Sequence, residues 1–286
     1  MDVLSLFDGM SCGQIALNKI GITPVKYYAA EVDKYAIKVT QANYPNTVQL
    51  GDVTKWREWD INWSSIDLLI GGSPCQGFSF AGKQLAFDDP RSALFFVWVD
   101  ILNHIKSVNP RVKFMLENVK MKKEYLYVIS KILEVEPVFI NSNLVSAQNR
   151  QRFYWANWTI EQPEDKEITW VDIKETNAPH CHYYTEMGLA WIKRQSERTG
   201  KKLRVWGDLE KCQMLEASMF KNYSGQRFFA VEDINGKRYI SLLECERAQT
   251  VPDNYTNHVS NTQRYKMLGN GWTVDVVAHI FSKAGL

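Results

Sequence analysis

At 286 residues the chain is long enough to bury one large core with a smaller lobe beside it. A net charge of +2 does not announce a nucleic-acid partner globally, and five cysteines scattered without a pairing pattern argue for a reducing cytoplasm over a disulfide scaffold. No stretch reads as a signal peptide, and no apolar run is long enough to span a membrane.

Val3-Leu4-Ser5-Leu6-Phe7 reads as a strand that runs straight into Asp8-Gly9-Met10-Ser11-Cys12-Gly13 and a helix beginning Gln14-Ile15-Ala16-Leu17. Strand, glycine turn, helix is the order that opens a nucleotide-binding βαβ unit. The turn lacks the full G-x-G-x-x-G pattern, so a phosphate-cradling loop is not implied and a dehydrogenase reading loses ground. The next apolar stretch, Tyr27-Tyr28-Ala29-Ala30, ends in Glu31 and Val32, where a carboxylate can accept both hydroxyls of a ribose. Asp52, with Val53 behind it, follows a third short strand at Val48-Gln49-Leu50 and is placed to meet an adenine amino group. Together these residues predict an adenosine ligand without a pyrophosphate.

The run from Ile66 to Gly72 is a central strand closed by two glycines, and it delivers Ser73-Pro74-Cys75-Gln76 to the loop beyond, where open α/β sheets place their chemistry. A lone cysteine is usually a small buried apolar residue. Here the glycines, Pro74 and Gln76 point the thiol of Cys75 toward a crevice instead. Residues 78–91 mix glycine, proline, charge and aromatics, as a closing loop does, and 92–102 form an apolar helix whose aromatics belong to the core. A further strand, Lys113-Phe114-Met115-Leu116, ends in Glu117-Asn118-Val119 and puts a carboxyl at a second strand end. Acyl transfer by such a thiol would need an activating histidine. None of His104, His180, His182, His258 and His279 sits at a strand end or glycine turn suited to that task.

From about 157 to 238 the strand–helix alternation fades. Lys193 to Arg204 carries six basic residues against Glu197 alone, a phosphate-contacting surface that includes Lys201 and Lys202. His180-Cys181-His182 with Cys212 does not match common zinc spacings, so no metal is expected. Asn235-Gly236 reads as a hairpin turn. Helical periodicity returns at Ser241–Gln249 and again at Gly271–Phe281.

Phe7-Asp8-Gly9, Glu31, Asp52, Pro74-Cys75-Gln76, Glu117-Asn118-Val119, Gln148-Asn149-Arg150-Gln151-Arg152, Glu244-Cys245-Glu246-Arg247-Ala248-Gln249 and Leu268-Gly269-Asn270-Gly271 stand in the order seen in DNA cytosine-5 methyltransferases. The chain resembles that family over nearly its whole length. Leu4 to Gly9, Gly71 to Cys75 and Gly271 to Val274 resemble the vertebrate de novo enzymes more than most bacterial restriction-modification enzymes, whereas the short chain suggests a bacterial or phage member, working in the cytoplasm.

The resemblance implies an α/β fold: a doubly wound mixed sheet of the Rossmann-like, S-adenosylmethionine-dependent type with a smaller target-recognition lobe. It implies a catalytic and cofactor-binding domain over 1–156, a target-recognition region over 157–238, and a segment 239–286 returning to the catalytic domain. S-adenosylmethionine would be held by Phe7, Asp8, Gly9, Met10, Ser11, Cys12, Glu31, Val32, Asp52, Val53, Pro74, Leu94, Asn270, Gly271 and Trp272. Double-stranded DNA would meet Gln76, Ser79, Lys83 and Arg91 as well as the two lysines.

The chemistry explains these residue types. Cytosine C5 is a poor nucleophile until a thiolate adds to C6 and turns the ring into an enamine; Cys75 would be that thiolate. An acid is then wanted at N3 and the exocyclic amine, a role burial favours by disfavouring charge, and it falls to Glu117. A guanidinium holds the O2 side with its rigid fork of donors; by resemblance this is Arg152, with Arg150 beside it on the DNA backbone. The target carbon lies inside the duplex stack, so the base must be extruded.

Two positions depart from the family pattern. Ser11-Cys12 replaces a common pair of glycines, placing the Cys12 thiol near the cofactor's methionine end as a source of reactivity artefacts, and Leu243 replaces an arginine that helps organise the recognition region. An RNA-directed relative is the second reading, and a non-catalytic DNA-binding paralogue the third. The roomy recognition region and Gly77-Phe78-Ser79 favour DNA, and retention of Cys75, Glu117, Arg150 and Arg152 favours catalysis.

Overall fold

The computed structural model describes residues 1–74, 93–200, 203–221 and 229–286. Eight strands fall in its first two-thirds: β1 (Asp2–Leu6), β2 (Lys26–Ala30), β3 (Val48–Gln49), β4 (Ile66–Gly71), β5 (Lys113–Val119), β6 (Val138–Asn141), β7 (Gln148–Asn149) and β8 (Gln151–Ala156). All but β7 join one seven-stranded sheet in the order β3-β2-β1-β4-β5-β8-β6. Neighbours from β3 through β5 run parallel, and β8 runs antiparallel to both β5 and β6. The expected mixed sheet is therefore present.

The central strands are apolar without alternation because both of their faces are covered; every residue of β4 except Asp67 is buried. Helices α1 (Cys12–Lys19) and α2 (Lys34–Asn43) carry the chain from β1 outward to β3, while α3 (Ala93–Val108) and α4 (Lys123–Leu133) serve the other half. Right-handed crossovers that travel in opposite directions from the sheet centre put their helices on opposite faces. Phe95, Trp98, Ile101, Leu102 and Ile105 form the buried stripe of α3, packing with Leu4, Leu69, Phe114 and Leu116. Gly71 has no room for a side chain, since a Cβ there would lie 2.7 Å from the Leu6 carbonyl oxygen and 2.9 Å from Trp98 Nε1.

The chain divides into two compact units, the first comprising Met1–Asn141, Gln151–Pro163 and Val276–Leu286, the second Ser142–Arg150 and Glu164–Asp275. This division differs from boundaries at 156 and 238. Ser142–Arg150 and residues 239–275 make their contacts within the second unit, and only the last eleven residues group with the sheet.

The second unit contains α5 (Trp170–Ile173), α6 (Glu186–Thr199), β9 (Arg204–Val205), β10 (Cys212–Gln213), β11 (Phe229–Asp233), β12 (Gly236–Arg238), α7 (Leu242–Ala248) and α8 (Asn261–Asn270); α9 (Val274–Ser282) runs on into the first. β12-β11-β9 form a small sheet, and β10 pairs with β7. The hairpin expected at Asn235-Gly236 is present but one residue earlier, because Asp233 pairs with Gly236 and leaves Ile234-Asn235 as the two-residue loop. The Asp233 carboxylate accepts the Asn235 N–H at 2.8 Å, which closes that turn. Among the described residues no helix is long and apolar enough to cross a membrane.

Helix α8 packs on the segment that leaves β10 at backbone contact. A Cβ on Gly269 would lie 2.2 Å from the Glu216 carbonyl carbon and 2.3 Å from the Ala217 nitrogen. Both neighbours are backbone and cannot step aside. Gly269→Ala is expected to lower stability by about 1–3 kcal/mol or more, the usual range for overpacking, and urea denaturation with an unchanged midpoint would contradict this close approach.

Candidate functional site

The order of the large sheet reverses between β1 and β4, and the strand ends on either side of that point carry most of the predicted site residues. Beyond β1, Phe7 and Ser11 both take left-handed backbone angles, with φ of 58° and 61°. Non-glycine residues adopt this conformation only where surrounding bonds enforce it. Here the Asp8 N–H donates to Ala30 O at 3.2 Å and the Ser11 N–H to Asp8 O at 3.1 Å, and Glu31 braces the same loop: one carboxylate oxygen accepts the Gly9 N–H at 2.8 Å, the other the N–H groups of Val32 and Asp33 at 2.7 and 2.8 Å. The residue predicted as a ribose acceptor thus also staples the loop after β2 to the loop after β1. Oε2 accepts only one of these bonds, and a carboxylate oxygen can accept two.

Asp8 lies beneath the same loop. Its carboxylate accepts hydrogen bonds from the Tyr27 hydroxyl at 2.8 Å and from the Ser11 hydroxyl. Burial pushes its pKa from 3.8 up to about 6, with the charge of Glu31 adding to the effect and bonds from Ser11, Ser5 and Tyr27 opposing it. Burial also drives the Tyr27 hydroxyl well above its ordinary value. The chain of polar groups continues through Gln14, whose amide donates to Ser11 Oγ at 3.0 Å and to Thr47 Oγ1 at 2.8 Å.

Val32 stands 71% exposed beside Glu31, an uncovered apolar face of the kind an adenine ring can lie against. Asp52 is exposed and caps the turn that follows it; its Oδ1 accepts the Thr54 N–H at 2.9 Å and hydroxyl at 2.8 Å, which holds its carboxyl below the usual range. Met10, Cys12 and Val53 bury their side chains in the core, so only their backbone is left to face a ligand, and the Cys12 thiol lacks the exposure that reactivity requires. Leu94 is half-buried against the core cluster, and Pro74 is half-buried as the last described residue before the thiol. Cys75, Gln76, Ser79, Lys83, Arg91, Lys201 and Lys202 lie outside the described residues.

At the end of β5, Glu117 pairs with Arg152 of β8, Nε to Oε1, at 2.7 Å, both side chains about nine-tenths buried. The antiparallel register brings them together by setting Glu117 opposite Tyr154 and Val119 opposite Arg152. Such a pair survives burial because each charge compensates the other. Next to it, the Asn118 amide donates to Ser73 Oγ at 3.3 Å, which ties the end of β5 to the loop leading into Cys75. A carboxyl and a guanidinium held at one strand end can together address the donor and acceptor edge of a pyrimidine.

In the second unit Arg150 departs from its expected place on the DNA backbone. It is 4% exposed and donates to the carbonyls of Leu215 at 3.2 Å, Gly269 at 3.3 Å and Gly271 at 2.8 Å. A guanidinium engaged in this way is turned to backbone, not to solvent. Asn270 ends α8 as an exposed residue, with Gly271 and Trp272 half-buried after it. Gln249 donates to Leu268 O at 2.6 Å and accepts the Thr273 hydroxyl at 2.9 Å, while Gln148 accepts the Leu215 N–H at 2.8 Å. Sequence reasoning grouped these glutamines with the motifs but assigned them no role; glutamine inside otherwise apolar helix and strand ends was the available signal.

Arg238, fully buried, donates through Nε to Asp233 at 2.7 Å and through both terminal nitrogens to Glu244 at 2.9 and 2.7 Å, and its remaining donors reach Tyr239 O and Glu175 O. Glu244 completes a capping box with Ser241 at the start of α7. Among the described residues no group of three or more His, Cys, Asp or Glu is placed to hold a metal ion.

The raised pKa of Asp8 has a thermodynamic consequence. Between about 4 and 6 the folded chain binds a proton that the unfolded chain has released, so this group's contribution to stability falls as pH rises through that window. In Asp8→Asn that downward slope, at most about 1.4 kcal/mol per pH unit, should vanish. Denaturation midpoints at several pH values that leave parent and variant parallel from pH 4 to 7 would refute the assignment.

A family model described as C-5 cytosine-specific DNA methylase matches residues 1–156 and 136–285. The chain is 32% identical over 286 residues to the Type II methyltransferase M1.ScrFI of Lactococcus lactis subsp. cremoris, covering 90% of this chain and 71% of that protein. It is 28% identical to M.HhaI of Haemophilus parahaemolyticus, covering 99% and 93%. The solved structure of S. pombe Dnmt2 methyltransferase has the same fold, with a TM-score of 0.74 at 18% identity over 99% of this chain and 97% of that one. With the motifs, the sheet and the matched length in agreement, the chain belongs to the C-5 cytosine-specific DNA methylase family.

Proposed function

We propose that the chain transfers a methyl group from S-adenosylmethionine to C5 of a cytosine extruded from double-stranded DNA, through a covalent bond between Cys75 and C6. The buried Glu117–Arg152 pair carries this reading, because it sits at the strand end tied by Asn118 to the loop that enters Cys75. Type II methyltransferase relatives and the matched family support the substrate class.

The residues present fit the cofactor. Glu31 retains acceptor capacity for a ribose, Val32 offers an apolar face, and Asp52 keeps its charge for an adenine amine. By the family resemblance, Asn270-Gly271-Trp272 would also belong to the cofactor site. When bound, the cofactor supplies an electrophilic methyl sulfonium. Cys75 adds its sulfur to C6, and Glu117, in its protonated form, donates a hydrogen bond at N3, so that the electron pair pushed out of the C5–C6 double bond becomes available at C5. Arg152 holds O2 and keeps the ring in the plane that this addition requires. After C5 gains the methyl group it loses its proton to a base, and the returning electron pair expels the Cys75 thiolate. Residues 157–238 would read the target, with the 193–204 cluster along the phosphates.

Bisulfite sequencing of DNA and of tRNA from cells expressing the chain tests the substrate directly. New 5-methylcytosine should appear in DNA; its appearance in tRNA alone would transfer the activity to RNA. Duplex DNA carrying 5-fluorocytosine should trap the enzyme covalently when S-adenosylmethionine is present, because the fluorine cannot leave as a proton. Cys75→Ser should abolish the trap, and a full adduct with that variant would remove Cys75 from the nucleophile's role. Replacing Lys201 and Lys202 by alanine should weaken DNA binding equally for all sequences and lower the salt slope of log affinity by about 0.9 per lost contact. A changed methylation site in that variant would show instead that the lysines take part in base readout.

A further inference from the structure

We propose that Arg150 is a positioning residue for the cofactor, acting through the Gly269–Trp272 turn rather than by touching nucleic acid; this rests on the reading of that turn as part of the cofactor site. The second unit builds a polar hub around this side chain. Arg150 spends donors on the carbonyls of Gly269 and Gly271, at 3.3 and 2.8 Å, at the place where α8 ends and its last carbonyls have no helical partner. A third donor holds Leu215 O at 3.2 Å, in the segment whose backbone presses against Gly269.

The Gly271 carbonyl also accepts from Gln249 Nε2, at 3.3 Å, and the same amide takes Leu268 O at 2.6 Å. Gln249 is itself fixed, since its Oε1 accepts the Gln148 amide at 3.2 Å and the Thr273 hydroxyl at 2.9 Å. Leu268, Gly269 and Gly271 are thereby held by side chains from the β7–β8 segment and from the end of α7, none of which belongs to α8. A helix left to itself frays at its last turn, and the residues beyond it sample many conformations. The hub leaves Asn270 exposed while fixing the backbone on both sides of it, which is what a ligand-facing turn requires.

A buried guanidinium displaces no counterions from DNA, and this separates the two roles of Arg150. Arg150→Lys keeps the charge but cannot reach three carbonyls from one ammonium. Calorimetry with S-adenosylhomocysteine, in the full chain and without DNA, should show binding weakened about tenfold, the order expected for losing one or two buried hydrogen bonds. The salt slope for binding a random-sequence duplex should match the parent. Gln249→Met removes the other tie to Gly271 without altering Arg150 and should weaken the cofactor in the same direction, which keeps the test decisive if the first variant folds poorly. A salt slope reduced by about 0.9 with cofactor affinity intact would make Arg150 a phosphate contact and overturn the proposal. Unchanged cofactor affinity in both variants, with only a lower unfolding midpoint, would overturn it in favour of a purely structural tie. A parent chain that binds no S-adenosylhomocysteine would overturn the functional reading, and this inference with it.

Discussion

The pairing of β1 with β4 is the constraint from which the first unit's chemistry follows. These two strands are neighbours in the sheet although α1, β2, α2 and β3 lie between them in sequence, and their register sets Leu6 beside Gly71. That alignment brings the loop of Asp8 and the loop of Ser73-Pro74 to one level at the carboxyl edge, where the direction of winding changes. Gly71 makes the alignment possible, because any side chain there would drive apart the Leu6 carbonyl and the Trp98 indole. β5 then pairs with β4 by setting Leu116 beside Gly71, so Glu117 emerges one residue above the same edge. The loops after β1 and β4 and the Glu117 carboxyl reach one edge through these two registers.

Three arginines show how burial sorts one residue type into separate tasks. Arg238 gives all its donors to two carboxylates and two carbonyls, and its partner Glu244 caps α7; it has nothing left for a ligand. Breaking such a buried pair costs about 3–5 kcal/mol, which marks it as a structural tie of the second unit. Arg150 gives its terminal donors to carbonyls and so orders backbone. Arg152 meets a carboxylate at the end of a strand and so pairs charge with charge. Charge is common to all three, while the acceptor each meets decides its role.

Much of the first unit was legible because its signals are local. Unbroken apolar runs identify β1, β4 and β5, and the polar residues closing them, Asp8, Ser73 and Glu117, fall where the strands end. The second unit was less legible for the opposite reason. Its strands are two to five residues long, its pairings join residues far apart in the chain, and its order rests on side-chain bonds such as Gln148 to Gln249. The surroundings of Arg150 were hidden for the same reason. A motif places it two residues from Arg152, and alternation along a strand would aim both the same way; but the chain passes from β7 to β8 at Arg150, and the two guanidinium groups find different surroundings. A motif names Val53 and Cys12 without saying whether side chain or backbone is used, and the burial of both side chains became visible only in the fold.

Glu31 has a local structural role and, in the proposed reading, a functional one in the same carboxylate. Its bonds to Gly9, Val32 and Asp33 hold the loop in which Phe7 and Ser11 keep left-handed backbone angles that neither residue favours alone. An acceptor used for scaffolding is fixed before any ligand arrives, so a ribose meeting its free lone pair encounters a group that has already lost its rotational freedom. Ordering a rotamer-rich side chain on binding costs about 0.5–1.5 kcal/mol, and here folding has already met that cost. The same economy applies at Asp52, whose bonds to Thr54 aim its carboxylate in advance. In this edge of the sheet, the groups that would recognise adenosine are the groups that hold the loops.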